Sequence, residues 1–102
     1  MADLSQQEWS KKASEDQNSV ILDVRTPEEV AEGMIPNAVN INISDPHSFM
    51  HKLGTLDQSV NYFVYCRSGA RSAQACAVMN QMGFANTHNL LGGIMEWQGS
   101  KV

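Results

Sequence analysis

Cys66-Arg67-Ser68-Gly69-Ala70-Arg71 is the stretch of this 102-residue chain whose residue types and spacing suit chemistry. The aromatic, apolar run Tyr62-Phe63-Val64-Tyr65 precedes it and reads as a buried strand. The residues after the loop, through Met82, read as a helix. A cysteine between a strand and a helix N-terminus sits where backbone N–H groups converge without intrahelical partners. That setting favours the thiolate, which is the nucleophilic form. Arg67 and Arg71 add two fixed positive charges, and Ser68 and Ser72 offer hydroxyl donors. Gly69 relieves steric limits, so the loop can curl and turn its amides inward as an anion nest that needs no metal. Ala70 opens the helix. Arg71, in its first turn, can reach the same anion with two nitrogens. The arrangement suits attack by a thiolate on an electrophilic atom of an anionic substrate.

The elements that must position this loop are legible on both sides of it. Ser5-Gln6-Gln7-Glu8 is a capping box and predicts a helix over 6–13. Val20-Ile21-Leu22 reads as a strand covered on both faces and runs out at Asp23-Val24-Arg25. Thr26 caps a short helix with Pro27 at its first position, and Glu28 and Glu29 suit its positive end. That helix stops near Gly33, and Ile35-Pro36-Asn37 reads as a turn. Residues 38–43 alternate, which predicts a half-buried strand with Val39, Ile41 and Ile43 on one face. Asp45-Pro46 opens a helix that ends at Leu53 before Gly54, and 54–61 reads as a loop. The helix after the cysteine ends at Gly83, which suits a left-handed cap. A short strand over 87–91, the Gly92-Gly93 turn and a helical stretch over 94–98 complete the chain. Strands alternating with helices predict an α/β domain with a mostly parallel central sheet and helices on both faces, formed as one domain over 1–102. Ligands of such sheets bind beyond the carboxyl ends of the strands, where Cys66 falls.

Composition excludes several classes. A net charge of −4 and the absence of a lysine-rich run argue against non-specific nucleic-acid binding. Two cysteines, Cys66 and Cys76, are too few for a disulfide scaffold, and Cys76 reads as a small buried hydrophobe. The N-terminus carries no basic segment followed by an apolar core, and no apolar run approaches membrane-spanning length. The expectation is a cytoplasmic protein with no membrane association. His47 and His51 have the spacing of a helical metal pair but no third ligand, so neither a metal nor another cofactor is expected.

Three segments together resemble the single-domain rhodaneses, a family of sulfurtransferases, and span nearly the whole chain. The run from Asp23-Val24-Arg25-Thr26-Pro27-Glu28-Glu29 through Gly33-Met34-Ile35-Pro36-Asn37-Ala38 resembles the N-terminal signature. The loop Cys66–Arg71 resembles the active-site loop, and Gly92-Gly93-Ile94-Met95-Glu96-Trp97 resembles the C-terminal signature. Val30, Met34 and Asn37 depart from the family's usual aromatic, histidine and glycine. The resemblance implies a two-step transfer. Cys66 would take the outer sulfur of thiosulfate, or of another sulfane-sulfur donor, as a persulfide. Arg67, Ser68, Gly69, Ala70 and Arg71 would hold donor and persulfide, and a thiol or cyanide would accept the sulfur. Asp23 and Arg25 would support the site, as orienting groups for Arg71 or loop amides or, as the favoured reading, through a structural ion pair. Glu29 reads as a bracing carboxylate rather than a general base, and Trp97 as core.

Other readings stay open at this point. The domain could be a regulatory binding module without turnover, or a persulfide carrier served by a protein donor or acceptor. Cysteine phosphatases and arsenate reductases share the cysteine–arginine logic but place one more residue between the two. The tighter cradle here fits a persulfide better than a tetrahedral phosphoryl group.

Overall fold

The computed structural model describes residues 2–102. Five strands, β1 (Ala2–Leu4), β2 (Val20–Asp23), β3 (Val39–Asn40), β4 (Tyr62–Tyr65) and β5 (Thr87–Leu90), form one sheet in the order β1-β5-β4-β2-β3. Every pairing is parallel. The helices are α1 (Gln6–Glu15), α2 (Pro27–Ala31), α3 (Pro46–Leu53) and α4 (Ala70–Met82), and a 3-10 turn follows at Ile94–Glu96. The expected α/β architecture is present.

β4 is central because its residues are apolar on both sides. Tyr62, Val64 and Cys66 pack with Phe49 and Leu53 of α3 and Ala75, Cys76 and Met79 of α4. Phe63 and Tyr65 face the other way, onto Trp9 of α1, Leu90 and Ile94. A continuous apolar strand between two helical layers is what parallel pairing requires. Trp9 anchors its layer, with edge-on contacts to Phe63, Tyr65 and Trp97 at 5.9, 6.1 and 5.7 Å. Its indole N–H donates to the His88 carbonyl at 3.2 Å.

Local signals account for the helices beside the site. Thr26 and Glu29 form a reciprocal capping box at α2, with Pro27 in the first turn. Asp45 caps α3 through the Ser48 N–H. α4 has no side-chain cap; Gly69, at φ 106°, turns the chain into it.

Two elements differ from expectation. β1 has no forecast in the sequence, because only Leu4 of its three residues is buried apolar surface. It is made by pairing with β5. The strand expected over 38–43 is regular only at Val39–Asn40. Val39 is 48% exposed while Ile41 is buried, so the two do not share an inward face. Ile41 and Ile43 still donate backbone N–H groups to the Asp23 and Val24 carbonyls, at 2.9 and 3.1 Å. The Asn40 side chain bonds the carbonyls of Asp23 and Arg25, both at 2.9 Å, which adds side-chain bonds to the pairing at this edge.

Truncation of Trp9 removes the anchor of one layer. Trp9→Ala is expected to lower stability by about 3–5 kcal/mol, a large share of a small domain's total. Urea unfolding checks this; a loss within the range of a surface substitution would contradict the packing described.

Candidate active site

The chain turns at the carboxyl end of β4, and Cys66 is the first residue beyond it. The residue is 0% exposed, so its sulfur has lost its water. Protein donors replace it. The Gly69 N–H reaches Sγ at 3.1 Å and the Ser72 hydroxyl at 3.4 Å. Burial is the largest single influence on the thiol and pushes its pKa up. Hydrogen bonds from the Ser72 side chain and from the Ser72, Gly69 and Ser68 amides outweigh it, leaving the pKa below the ordinary thiol value. Cys76 shows the opposite balance: burial in the core pushes it up to about 11. The same chemical group is therefore readied for ionisation at one position and suppressed at the other.

Two further parts of the chain hold the loop in its curl. The Ile94 and Met95 N–H groups donate to the Cys66 and Arg67 carbonyls at 2.9 and 3.0 Å. This contact needs a glycine at 93, at φ 61°, because a Cβ there would lie 2.3 Å from the Arg67 carbonyl oxygen. Asn89 of β5 accepts the Ser72 hydroxyl at 2.5 Å and donates to the Gly69 carbonyl at 3.2 Å and to Asp3 at 2.9 Å. Ser72 has one proton for two acceptors, Asn89 Oδ1 and Cys66 Sγ. Neither Asn89 nor the Gly93 contact is signalled locally in the sequence, since each depends on β5 lying beside β4.

The arginines do not all lie where the sequence suggests. Arg71 turns to Glu29, with Nη1 and Nη2 at 2.7 and 2.8 Å from its two carboxylate oxygens. The guanidinium beside it holds the Glu29 carboxyl at about 2. Glu29 thus braces the site, as expected, but it does so on the side chain expected to bind the anion. Arg67 is exposed, and among the described residues its side chain has no ion-pair partner. It lines a cleft of about 280 Å³ together with Arg25, Glu29, Met95 and Lys101.

Asp23 and Arg25 lie at the end of β2 as a buried pair. The Arg25 backbone N–H and its Nε donate to Asp23 at 3.0 Å, and its Nη2 at 2.7 Å. Arg25 reaches on to the Glu29 and Gly33 carbonyls at 3.2 and 2.8 Å. The Tyr65 hydroxyl donates to Asp23 at 2.6 Å and accepts from the Ile35 N–H at 3.1 Å. The side-chain partners of the Asp23 carboxylate are Arg25 and Tyr65, and among the described residues it makes no hydrogen bond to Arg71 or to an amide of the Cys66 loop.

A buried cysteine under an inward amide at the carboxyl edge of a parallel sheet defines a class of α/β domain with its loop cysteine at the strand end. Comparison places the chain within a particular family of that class. The Rhodanese-like domain family matches residues 6–100, and the chain belongs to it. It is 44% identical over 89 residues to YtwF of Bacillus subtilis (strain 168), a protein named as a candidate sulfurtransferase, covering 87% of this chain and 82% of the relative. It is 35% identical over 95 residues to a protein of Allochromatium vinosum named sulfurtransferase, covering 93% and 86%. The crystal structure of a rhodanese-related protein from Thermoplasma volcanium superposes with a TM-score of 0.84 at 28% identity, covering 100% of this chain and 98% of that one. Among the described residues no helix is long and apolar enough to cross a membrane.

Ser72→Ala removes one thiolate donor and leaves the amides. Cys66 alkylation by iodoacetamide is expected to slow by roughly three- to tenfold at neutral pH and to recover at alkaline pH. The sign follows from the thiol pKa rising, so the rate–pH curve moves to higher pH. An unchanged curve would exclude Ser72 as a contributor.

Proposed function

We propose that this protein is a sulfurtransferase that carries sulfane sulfur as a persulfide on Cys66, with residues 1–102 acting as one domain. The observation that carries this reading is a fully buried sulfur that accepts the Gly69 N–H at 3.1 Å, with the Ser72 hydroxyl, whose proton is shared with Asn89, at 3.4 Å. These donors favour a sulfur anion over a neutral thiol. They would serve the terminal sulfur of a persulfide in the same way, as preorganised dipoles that need no rearrangement during the reaction.

With thiosulfate as donor, Cys66 Sγ attacks the outer sulfur. A new S–S bond forms as the donor's S–S bond breaks, and sulfite leaves with the electron pair. A thiol or cyanide then takes the outer sulfur and Cys66 returns as thiolate. One difficult transfer is split into two displacements. Arg67, exposed at the mouth, faces the incoming donor, while Ser68, Gly69 and Ala70 shape the curl of the loop. Asp23 and Arg25 serve by bracing the end of β2 against the segment after α2. The position of Arg71, drawn off to Glu29 rather than into the loop, adds a second argument against the phosphatase reading, which needs an arginine on the transferred group.

Intact mass after incubation with thiosulfate tests the proposal. The wild type is expected to gain a single sulfur atom that cyanide removes, and Cys66→Ser is expected to gain none. A wild type loaded neither by thiosulfate nor by a persulfide donor, while still folded, would overturn the reading in favour of a binding module.

A further inference from the structure

The Glu29–Arg71 pair bears on which donors the site accepts. Arg71 presents both terminal nitrogens to one carboxylate, in the fork geometry by which a guanidinium also takes a sulfonate. Glu29 is itself held in place. The Thr26 N–H and hydroxyl donate to Oε1 at 3.3 and 3.2 Å, as part of the cap on α2. The pair is about three-quarters shielded, with side-chain exposures of 30% and 26%, and Glu29 stays ionised throughout the working pH range. An anion that seeks Arg71 bidentately must displace a resident carboxylate. Arg67 and Lys101, which both line the cleft, have no ion-pair partner among the described residues.

We propose that Glu29 is a specificity-determining residue: it occupies Arg71 as an internal anion, so the site favours thiol persulfides, whose remainder is uncharged near the sulfur, over thiosulfate. This inference rests on the sulfurtransferase reading above. Both donors balance without an added oxidant. Thiosulfate gives the Cys66 persulfide anion and sulfite. A persulfide RS–SH gives the same anion and RSH, the old S–S bond breaking as the new one forms and the proton passing to the departing thiolate.

The test compares loading rates of Cys66 by thiosulfate and by 2-mercaptoethanol persulfide, read by mass. It uses the wild type, Glu29→Gln and Glu32→Gln. Glutamine at position 29 keeps the capping box, so α2 is retained while the charge is lost. Glu32 lines the same cleft and controls for net charge. Glu29→Gln is expected to raise thiosulfate loading by roughly three- to tenfold, the scale of a partly exposed bidentate pair, with persulfide loading changed by less than about twofold. Glu32→Gln is expected to leave the ratio of the two rates unchanged. An unchanged ratio in Glu29→Gln overturns the proposal. So does slower thiosulfate loading, which would mean that Glu29 positions Arg71 for the donor, or an equal rise in Glu32→Gln, which would mean a general field effect. If neither donor loads the wild type, the sulfurtransferase reading itself fails and the inference falls with it.

Discussion

An ionised sulfur without contact with solvent is tolerable only where other dipoles replace the water it has lost. At Cys66 that replacement comes from amides at the start of α4 and from the Ser72 hydroxyl. Much of the surrounding architecture keeps those donors aimed at one point. Gly69 supplies the backbone turn that brings its own N–H to Sγ. The segment after β5 clamps the carbonyls of Cys66 and Arg67, so the loop cannot relax outward. Asn89 ties Ser72, Gly69 and β1 into one unit. β4 delivers the cysteine to this position because it is pinned between two apolar layers.

The two ion pairs near the site do different work. Asp23–Arg25 is buried and joined to Tyr65 and to two backbone carbonyls. Breaking such a pair leaves a charge without solvent or partner, a cost of about 3–5 kcal/mol, so its role is to hold the end of β2 rigid. Arg71–Glu29 is partly open to solvent and is formed between side chains that can exchange partners. One pair is closed off from solvent, and the other is partly open.

Local signals made most of the frame legible. The apolar run Tyr62–Tyr65 followed by a cysteine and a helix start forecast β4, the loop and α4, because each step depends on residues close in sequence. Thr26-Pro27 and Asp45-Pro46 marked helix starts for the same reason. β1 carried no such signal, since three residues with one buried side chain become a strand only by pairing with β5. Val39 to Ile43 misled because alternation implies a regular strand, whereas the backbone bonds of Ile41 and Ile43 are joined at that edge by bonds from the Asn40 side chain. At the site, the cysteine and its loop were evident, but their partners were not. Glu29 lies 42 positions from Arg71, and Asn89 lies 17 from Ser72. The bond to the Cys66 carbonyl likewise comes from the segment after β5, whose Gly92-Gly93 pair reads in sequence only as a turn.

At Cys66 hydrogen bonds outweigh burial and leave the thiol pKa below its ordinary value. Direct titration of that sulfur, by ultraviolet thiolate absorbance in a Cys76→Ala background with Cys66→Ser as the blank, tests it most directly. The expected midpoint lies below the ordinary thiol value. A midpoint at or above that value would show that burial wins, and that the loop does not prepare the sulfur for attack.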